Sequence, residues 1–176
     1  IINGAKGIGI RKIASITLAK LDGDQNLTEQ QKQKIICEVL SVNFKNWSFV
    51  GFYDFKEPDG EKFKEDVIYI GEYVSANIFP CGEINLGKGS ADFVQDQRDL
   101  DLQKYKGGDN YIACDADTMS EIVVPCFDPE PNFGNRLKSV FDIDSPEVGT
   151  FDGVDQAWLE KMLGLGTADN TILFLL

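Results

Sequence analysis

Apolar residues recur with the period of an α-helix near both ends of the chain. Residues 8–21 show weak helical spacing. Thr28 and Gln31 have the spacing of a capping box, which predicts a helix that runs from there to about Val42. Towards the other end, Asp152 is suited to cap a last helix. The apolar positions expected to be buried on these two helices are Ile35, Ile36, Val39 and Leu40, and Val154, Trp158 and Met162.

The middle of the chain has the period of β-strands instead. Aromatic and β-branched residues predict strands over 47–53 and 66–72, and further strands are predicted over 121–127 and 136–143. Helices at both ends and four to six mostly antiparallel strands between them predict an α+β fold, with residues 1–176 forming one domain. Alternation places Trp47, Phe49, Gly51 and Tyr53 on one face of the first strand, and it separates Leu137, Ser139, Phe141 and Ile143 from Val140, Asp142 and Asp144 on the fourth.

The charge of the chain narrows the classes of function. The 176 residues include 29 acidic and 17 basic side chains, which gives a net charge of −12. Nucleic acid and anionic membrane surfaces are therefore disfavoured as partners, because binding them needs clustered lysine and arginine. Apolar runs stay well short of the roughly 20 residues that a membrane span requires. The first residues contain neither an initiator methionine nor a secretory signal, so we expect a trimmed cytoplasmic protein.

The chain contains no histidine, which excludes several familiar kinds of site. Catalysis by a Cys–His pair or a Ser–His–Asp triad is impossible, as is any metal site that uses histidine. The four cysteines, Cys37, Cys81, Cys114 and Cys126, form no CxxC pair, so a four-thiolate zinc site is not expected. Cys114 stands just before the third predicted strand, where it is either a nucleophile assisted by carboxylates or a small apolar filler.

Two carboxylates of the fourth predicted strand point the same way. Asp142 and Asp144 are two residues apart, which sets them roughly 7 Å from each other on one strand face. Two negative charges at that distance are unfavourable unless a cation lies between them. The pair therefore indicates either a site for a cationic group or a solvated strand end.

Short motifs in the middle of the chain carry a resemblance to a known family. They are Val50-Gly51-Phe52-Tyr53, Asn85-Leu86-Gly87-Lys88-Gly89, Ile112-Ala113-Cys114-Asp115, Ser120-Glu121-Ile122-Val123-Val124-Pro125, and Val140-Phe141-Asp142-Ile143-Asp144-Ser145 followed by Phe151-Asp152. Together they resemble the free methionine-R-sulfoxide reductases, small enzymes with the GAF fold. The resemblance covers about residues 28–163. It implies a GAF-like domain that reduces free L-methionine-(R)-S-oxide to L-methionine.

The resemblance also implies how the sulfoxide would be reduced. Cys114 matches the catalytic thiol of the family, which becomes a sulfenic acid. Cys81 matches a resolving cysteine, which would close a disulfide that a thioredoxin-type reductant reopens. Glu121 matches a carboxylate of the site, and neighbouring negative charges would raise its pKa so that it can give a proton to the sulfoxide oxygen. No cofactor and no metal ion are expected, and a homodimer is left open.

Substrate binding is assigned in the same way. Asp142 and Asp144 match carboxylates of the family that hold the substrate, and they could pair with the ammonium of a free amino acid. Tyr53 matches a family aromatic, and an aromatic wall from Phe49, Trp47 or Tyr53 could hold the S-methyl group.

The chain departs from the family pattern at some positions. Ala91 stands where the family often has a third cysteine, Phe49 stands where it has tryptophan, and the segment between Tyr73 and Cys81 is longer. Two other interpretations therefore remain. The chain could be a non-catalytic GAF module that binds a small zwitterionic or cationic metabolite, or a thiol protein that senses peroxide.

Overall fold

The computed structural model describes residues 4–55, 67–76, 80–85, 117–127, 137–164 and 172–175. Three helices and six strands lie in these ranges. The helices α1, α2 and α3 span Gly4–Asp22, Glu29–Asn43 and Gly153–Met162, and the strands β1 to β6 span Phe49–Asp54, Val67–Ser75, Glu83–Asn85, Ser120–Phe127, Leu137–Ser145 and Ile172–Leu175. Within the described ranges, no helix is both long enough and apolar enough to cross a membrane.

Helices α2 and α3 begin at the caps that the sequence predicts. Thr28 Oγ1 accepts the backbone N–H of Gln31 at 3.2 Å, and Gln31 Oε1 accepts the backbone N–H of Thr28 at 2.8 Å. Asp152 and Asp155 make the equivalent pair at 3.2 and 3.1 Å. Each pair satisfies backbone N–H groups that a helix start leaves without partners, which confirms both predicted starts.

The six strands form one sheet in the order β3-β2-β1-β5-β4-β6, and every pairing among them is antiparallel. Strands β1 and β5 therefore lie at the centre and pair along their whole length. This arrangement confirms the predicted α+β class with a mostly antiparallel sheet and helices towards both ends, although strand β6 follows the last helix.

The three helices cover one face of the sheet, which we call the helix face. Its centre is Phe141 and Ile143 of β5, which pack against β1 and β4 and are fully buried. Helix α2 is also tied to the sheet by polar contacts. Gln33 Nε2 donates to Asp54 Oδ1 at 2.9 Å, and Lys138 forms an ion pair of 2.9 Å with Glu29, which lowers the pKa of that carboxyl.

Several local predictions differ from the structure. Two strands were not predicted: β3 lies in residues 73–86, where the pattern is loose, and β6 lies in residues 171–176, which are apolar but too few to classify. Val154 is predicted in the buried stripe of the last helix, but its side chain is 37% exposed; Met162 is buried as predicted, and Leu159 is buried beside it. Residues 96–110, whose acidic and polar composition predicts a long surface loop, lie outside the described residues.

Candidate active site

Three carboxylates meet on the face of the sheet opposite the helices, which we call the carboxylate face. Asp144 of β5 lies opposite Phe49 of β1 on one side and opposite Glu121 of β4 on the other. Asp142 lies opposite Gly51 and Val123 in the next row. Residues directly opposite each other on antiparallel strands point to the same face. The alternation predicted for β5 therefore holds, and pairing with β4 adds Glu121.

The three carboxyl groups lie close together. Oxygen atoms of Glu121, Asp142 and Asp144 are all within 4.8 Å of one another, near enough to surround a single cation. Glu121 is 4% exposed, and Oδ1 of Asp142 is a buried atom with no hydrogen-bond partner among the described groups. Burial raises the pKa of Asp142 well above its ordinary value, and the negative charges of Asp144 and Glu121 raise it further. The cluster therefore favours binding a cationic group or holding a proton.

Aromatic side chains adjoin the carboxylates. Phe49 and Tyr53 are both buried on the carboxylate face, and their ring centroids are 6.1 Å apart. Burial raises the pKa of Tyr53, and the charges of Asp142, Asp144 and Glu121 act in the same direction. The phenol consequently keeps its proton at neutral pH and can donate a hydrogen bond.

Hydroxyl groups fix the end of β5 beside Asp144. Ser145 Oγ lies 2.8 Å from the carbonyl oxygen of Asn46 and 2.7 Å from Thr150 Oγ1, and Ser120 Oγ donates to the carbonyl oxygen of Glu147 at 2.6 Å. We call the three hydroxyl-bearing residues, Ser120, Ser145 and Thr150, the hydroxyl knot. These bonds were not predicted, although serines at two strand ends and a threonine in the segment after β5 are a signal of side-chain bonds to the backbone.

The backbone of Asp144 is held from the neighbouring strand as well. The backbone N–H of Ser48 donates to the carbonyl oxygen of Asp144 at 2.9 Å. The backbone N–H of Met119 donates to the carbonyl oxygen of Ser145 at 2.8 Å. The backbone position of Asp144 is thus set by the sheet and by the turn that follows β5.

The prediction that Trp47 belongs to this face is wrong. Trp47 precedes β1, in a turn where its backbone N–H donates to the carbonyl oxygen of Phe44 at 3.1 Å. Its ring stacks on the ring of Phe44, with the two centroids 4.1 Å apart, and contacts Phe151 on the helix face. Alternation by two holds only within a strand, and the strand begins at Phe49.

The cysteines fall into two groups. Cys81 is half-buried just before β3 and takes part in a disulfide, whereas Cys37 and Cys126 are free thiols. Burial raises the pKa of both free thiols, that of Cys126 to about 12, so they are weak nucleophiles at neutral pH. Cys114 lies outside the described residues. The structure thus brings together Phe49, Tyr53, Glu121, Asp142 and Asp144 of the predicted site.

Comparisons with known proteins point to one family. The chain is 36% identical over 124 residues to the free methionine-R-sulfoxide reductase of Saccharomyces cerevisiae, an alignment that takes in 68% of this chain and 60% of the yeast protein. It therefore spans about three fifths of the length of that relative. No model of a protein family matches the chain.

Solved structures show the same fold. Free methionine-R-sulfoxide reductase from Neisseria meningitidis, in complex with its substrate, is similar with a TM-score of 0.70 and 21% identity, over 90% of this chain and 86% of that chain. A GAF domain gives the same TM-score at 24% identity, over 90% of this chain and 87% of that chain. The chain is therefore a GAF-fold protein and a relative of the free methionine-R-sulfoxide reductases.

Proposed function

We propose that this protein, acting as a single GAF domain, reduces free L-methionine-(R)-S-oxide to L-methionine in the cytoplasm. The observation that carries the proposal is the convergence of Glu121, Asp142 and Asp144 beside buried aromatic rings. Its relation to the yeast reductase supports the same substrate.

The carboxylate cluster explains why the substrate would be the free amino acid. A free amino acid carries an α-ammonium that Asp142 and Asp144 can pair, whereas a methionine sulfoxide within a peptide lacks that charge. Leaving buried carboxylates without a cation is unfavourable, so the site discriminates against the peptide-bound form. The phenyl ring of Phe49 and the phenol of Tyr53 supply apolar surface for the S-methyl group.

The proposed chemistry moves one oxygen atom and two electrons. Glu121 gives a proton to the sulfoxide oxygen, and the thiolate of Cys114 attacks the sulfur. The sulfur–oxygen bond of the substrate breaks, the oxygen passes to Cys114 as a sulfenic acid, and methionine leaves. The thiol of Cys81 then displaces that oxygen as water and forms a disulfide with Cys114. A dithiol of the thioredoxin type returns both cysteines to thiols by exchange.

The state of the described cysteines supports these roles. Cys81 takes part in a disulfide, and because Cys37 and Cys126 are free thiols, neither of them is its partner. Their raised pKa values also make them poor competitors for a sulfenic acid. Cys114 is the partner that the proposed mechanism requires.

A coupled assay tests the proposal. NADPH consumption with thioredoxin and thioredoxin reductase should depend on the R sulfoxide and not on the S sulfoxide. Cys114→Ser should abolish turnover with the fold intact, because a hydroxyl cannot replace the thiolate, and Cys126→Ser should retain turnover as the matched control. Residual activity of Cys114→Ser above about one part in a hundred would contradict the mechanism.

The resolving thiol has its own readout. Cys81→Ser should complete one turnover and then stop, leaving a sulfenic acid on Cys114 that a dimedone-type reagent traps. Normal cycling of this variant with thioredoxin would remove Cys81 from the mechanism.

A binding module is the second candidate. The cluster of Glu121, Asp142 and Asp144 with its aromatic neighbours suits a small zwitterionic or cationic metabolite without any reaction. Calorimetry with L-methionine distinguishes the candidates when it is run beside the assay, because binding without turnover of either sulfoxide favours the module.

A further inference from the structure

One hydroxyl of the knot connects the two strands that carry the carboxylates. Ser120, the first residue of β4, is fully buried. Its Oγ donates to the carbonyl oxygen of Glu147 at 2.6 Å and accepts the backbone N–H of Thr150 at 3.4 Å. Both partners lie in the turn that follows β5, residues 146–150. A side chain at the start of β4 therefore holds the segment that leaves β5.

The other two hydroxyls of the knot belong to β5 and its turn. Thr150 Oγ1 donates to the carbonyl oxygen of Glu147 at 2.9 Å and lies 2.7 Å from Ser145 Oγ, so these groups order the turn within itself. Ser120 is the member of the knot that belongs to β4. The backbone N–H of Met119, which donates to the carbonyl oxygen of Ser145 at 2.8 Å, adds a main-chain bond beside it. The Ser120 hydroxyl is thus a side-chain link between β4 and the turn after β5.

Glu121 and Asp144 need such a link because their charges repel each other. They lie directly opposite on β4 and β5, and oxygen atoms of their carboxyl groups are within 4.8 Å. Like charges at directly opposite positions destabilise a pair of strands. Only the pair of Ser120 and Ser145 lies between these charges and the end of the paired stretch, and ends of paired elements open most readily. Repulsion therefore acts to part β4 and β5 at this end.

We propose that Ser120 is a positioning residue of the carboxylate cluster: its hydroxyl ties the start of β4 to the turn after β5 and so keeps Glu121 beside Asp144. This inference rests on the proposed function and deepens it, because the proton held by the cluster is the one that the sulfoxide oxygen would receive. Ser120 and Glu121 are consecutive residues of a strand and point to opposite faces. Ser120 therefore acts through Glu121 and not by contact with the substrate.

The proton affinity of the cluster reports whether the link holds. Burial raises the pKa of Asp142, and the charges of Asp144 and Glu121 raise it further. Glu121 is faced by Asp142 and Asp144 of β5 and by Tyr53 of β1, and β6 on its other side carries no charged residue. If β4 parts from β5, the charge of Glu121 moves away from Asp142, so the pKa of Asp142 should fall.

NMR of the carboxyl carbons measures this fall without any ligand, in protein labelled with carbon-13 at aspartate. Ser120→Ala should lower the titration midpoint of Asp142 by about half a pH unit or more, and the loss of the resonance in Asp142→Asn identifies it. Ser120→Thr keeps the hydroxyl and should keep the wild-type midpoint. Ser15→Ala is the matched control, since it removes a serine hydroxyl that donates to the carbonyl oxygen of Arg11 on α1, and it should leave the midpoint unchanged.

The coupled assay gives the second measurement. Because interacting carboxyls titrate as one group, the alkaline limb of kcat should move to lower pH by a similar amount in Ser120→Ala, which is a loss of about threefold in rate above the limb. An unchanged midpoint or an unchanged limb in Ser120→Ala, or the same shift in Ser120→Thr, would overturn the inference. A wild-type protein that reduces neither sulfoxide would overturn the proposed function instead, and the NMR titration would still decide the role of Ser120.

Discussion

The two faces of the central sheet differ in what they bury. On the helix face, Phe141 and Ile143 are fully buried among apolar side chains from α1, α2 and α3. On the carboxylate face, the intervening residues Asp142 and Asp144 meet Glu121 at distances where each charge disfavours the others. Along β5, apolar residues whose burial stabilises the fold thus alternate with carboxylates whose mutual repulsion destabilises it.

This difference indicates how stability and binding are divided. Burial of an aromatic side chain contributes about 1.5–3 kcal/mol of stability, whereas a buried carboxylate without a cation is unfavourable. A ligand ammonium would remove that unfavourable term, so the carboxylate face gains most from binding and the helix face gains nothing. Substitutions on the helix face should therefore lower stability, whereas substitutions of the carboxylates should weaken binding without lowering stability.

The largest effect is expected on the helix face. Phe141→Ala removes a fully buried ring whose centroid lies 4.5 Å from that of the Phe52 ring. The substitution should lower the free energy of unfolding by about 3–5 kcal/mol. Urea denaturation measures this loss. Val148→Ala, at a position that is 66% exposed, should change stability by less than about 0.5 kcal/mol. A loss below about 1 kcal/mol for Phe141→Ala would break the contrast between the faces.

The next effect belongs to the carboxylate face. On the proposed function, Asp144→Asn should remove one charge-assisted hydrogen bond to the substrate, worth about 1.5–3 kcal/mol, and kcat/KM should fall roughly tenfold to over a hundredfold. Thermal stability should not fall, because the removed charge was repelled by its neighbours. Asp22→Asn, at the exposed end of α1, is the matched control and should keep wild-type kinetics. Unchanged kinetics for Asp144→Asn would mean that the carboxylates are a solvated strand end and not a binding site.

The third effect is the pH dependence of stability. The folded-state pKa of Asp142 is raised above its unfolded value, so its contribution to stability is complete below about pH 4 and is lost as pH rises towards the folded-state pKa. Asp142→Asn has no such loss. Without substrate, the free energy of unfolding of the variant should rise relative to that of the wild type by at most about 1.4 kcal/mol for each pH unit over that interval. Parallel stability curves for the two proteins from pH 4 to pH 8 would contradict the raised pKa.

Much of this arrangement could be predicted from local patterns. Alternation in β5 separates Phe141 from Asp142 because a strand has a strict period of two, and the caps at Thr28 and Asp152 follow from side-chain chemistry within one turn. The residue at which a strand starts is harder to predict from a local pattern. Trp47 was assigned to the wrong face because a turn, and not a strand, carries it.

Features that depend on partners distant in sequence were not predictable in the same way. Strand β3 is three residues long and exists through its pairing with β2, and β6 exists through its pairing with β4. Gly71 inside the pattern of β2 is a signal of a bulge, but the strand against which the register shifts cannot be identified from β2 alone. Pairing across the sheet brings Glu121 next to Asp144, and only the resemblance to the reductases anticipated that they share a site.

The hydroxyl knot has a consequence for how a ligand is selected. The hydroxyls of Ser120, Ser145 and Thr150 donate to backbone carbonyls around the end of β5, so the backbone next to Asp144 is ordered by folding. A site whose scaffold is already ordered loses little conformational entropy when a ligand arrives, and it cannot shift its backbone to accommodate a poorly shaped one. On the proposed function, recognition beside Asp144 is therefore expected to be closer to lock-and-key than to induced fit, and an N-methylated ammonium should bind less tightly than the unmethylated one.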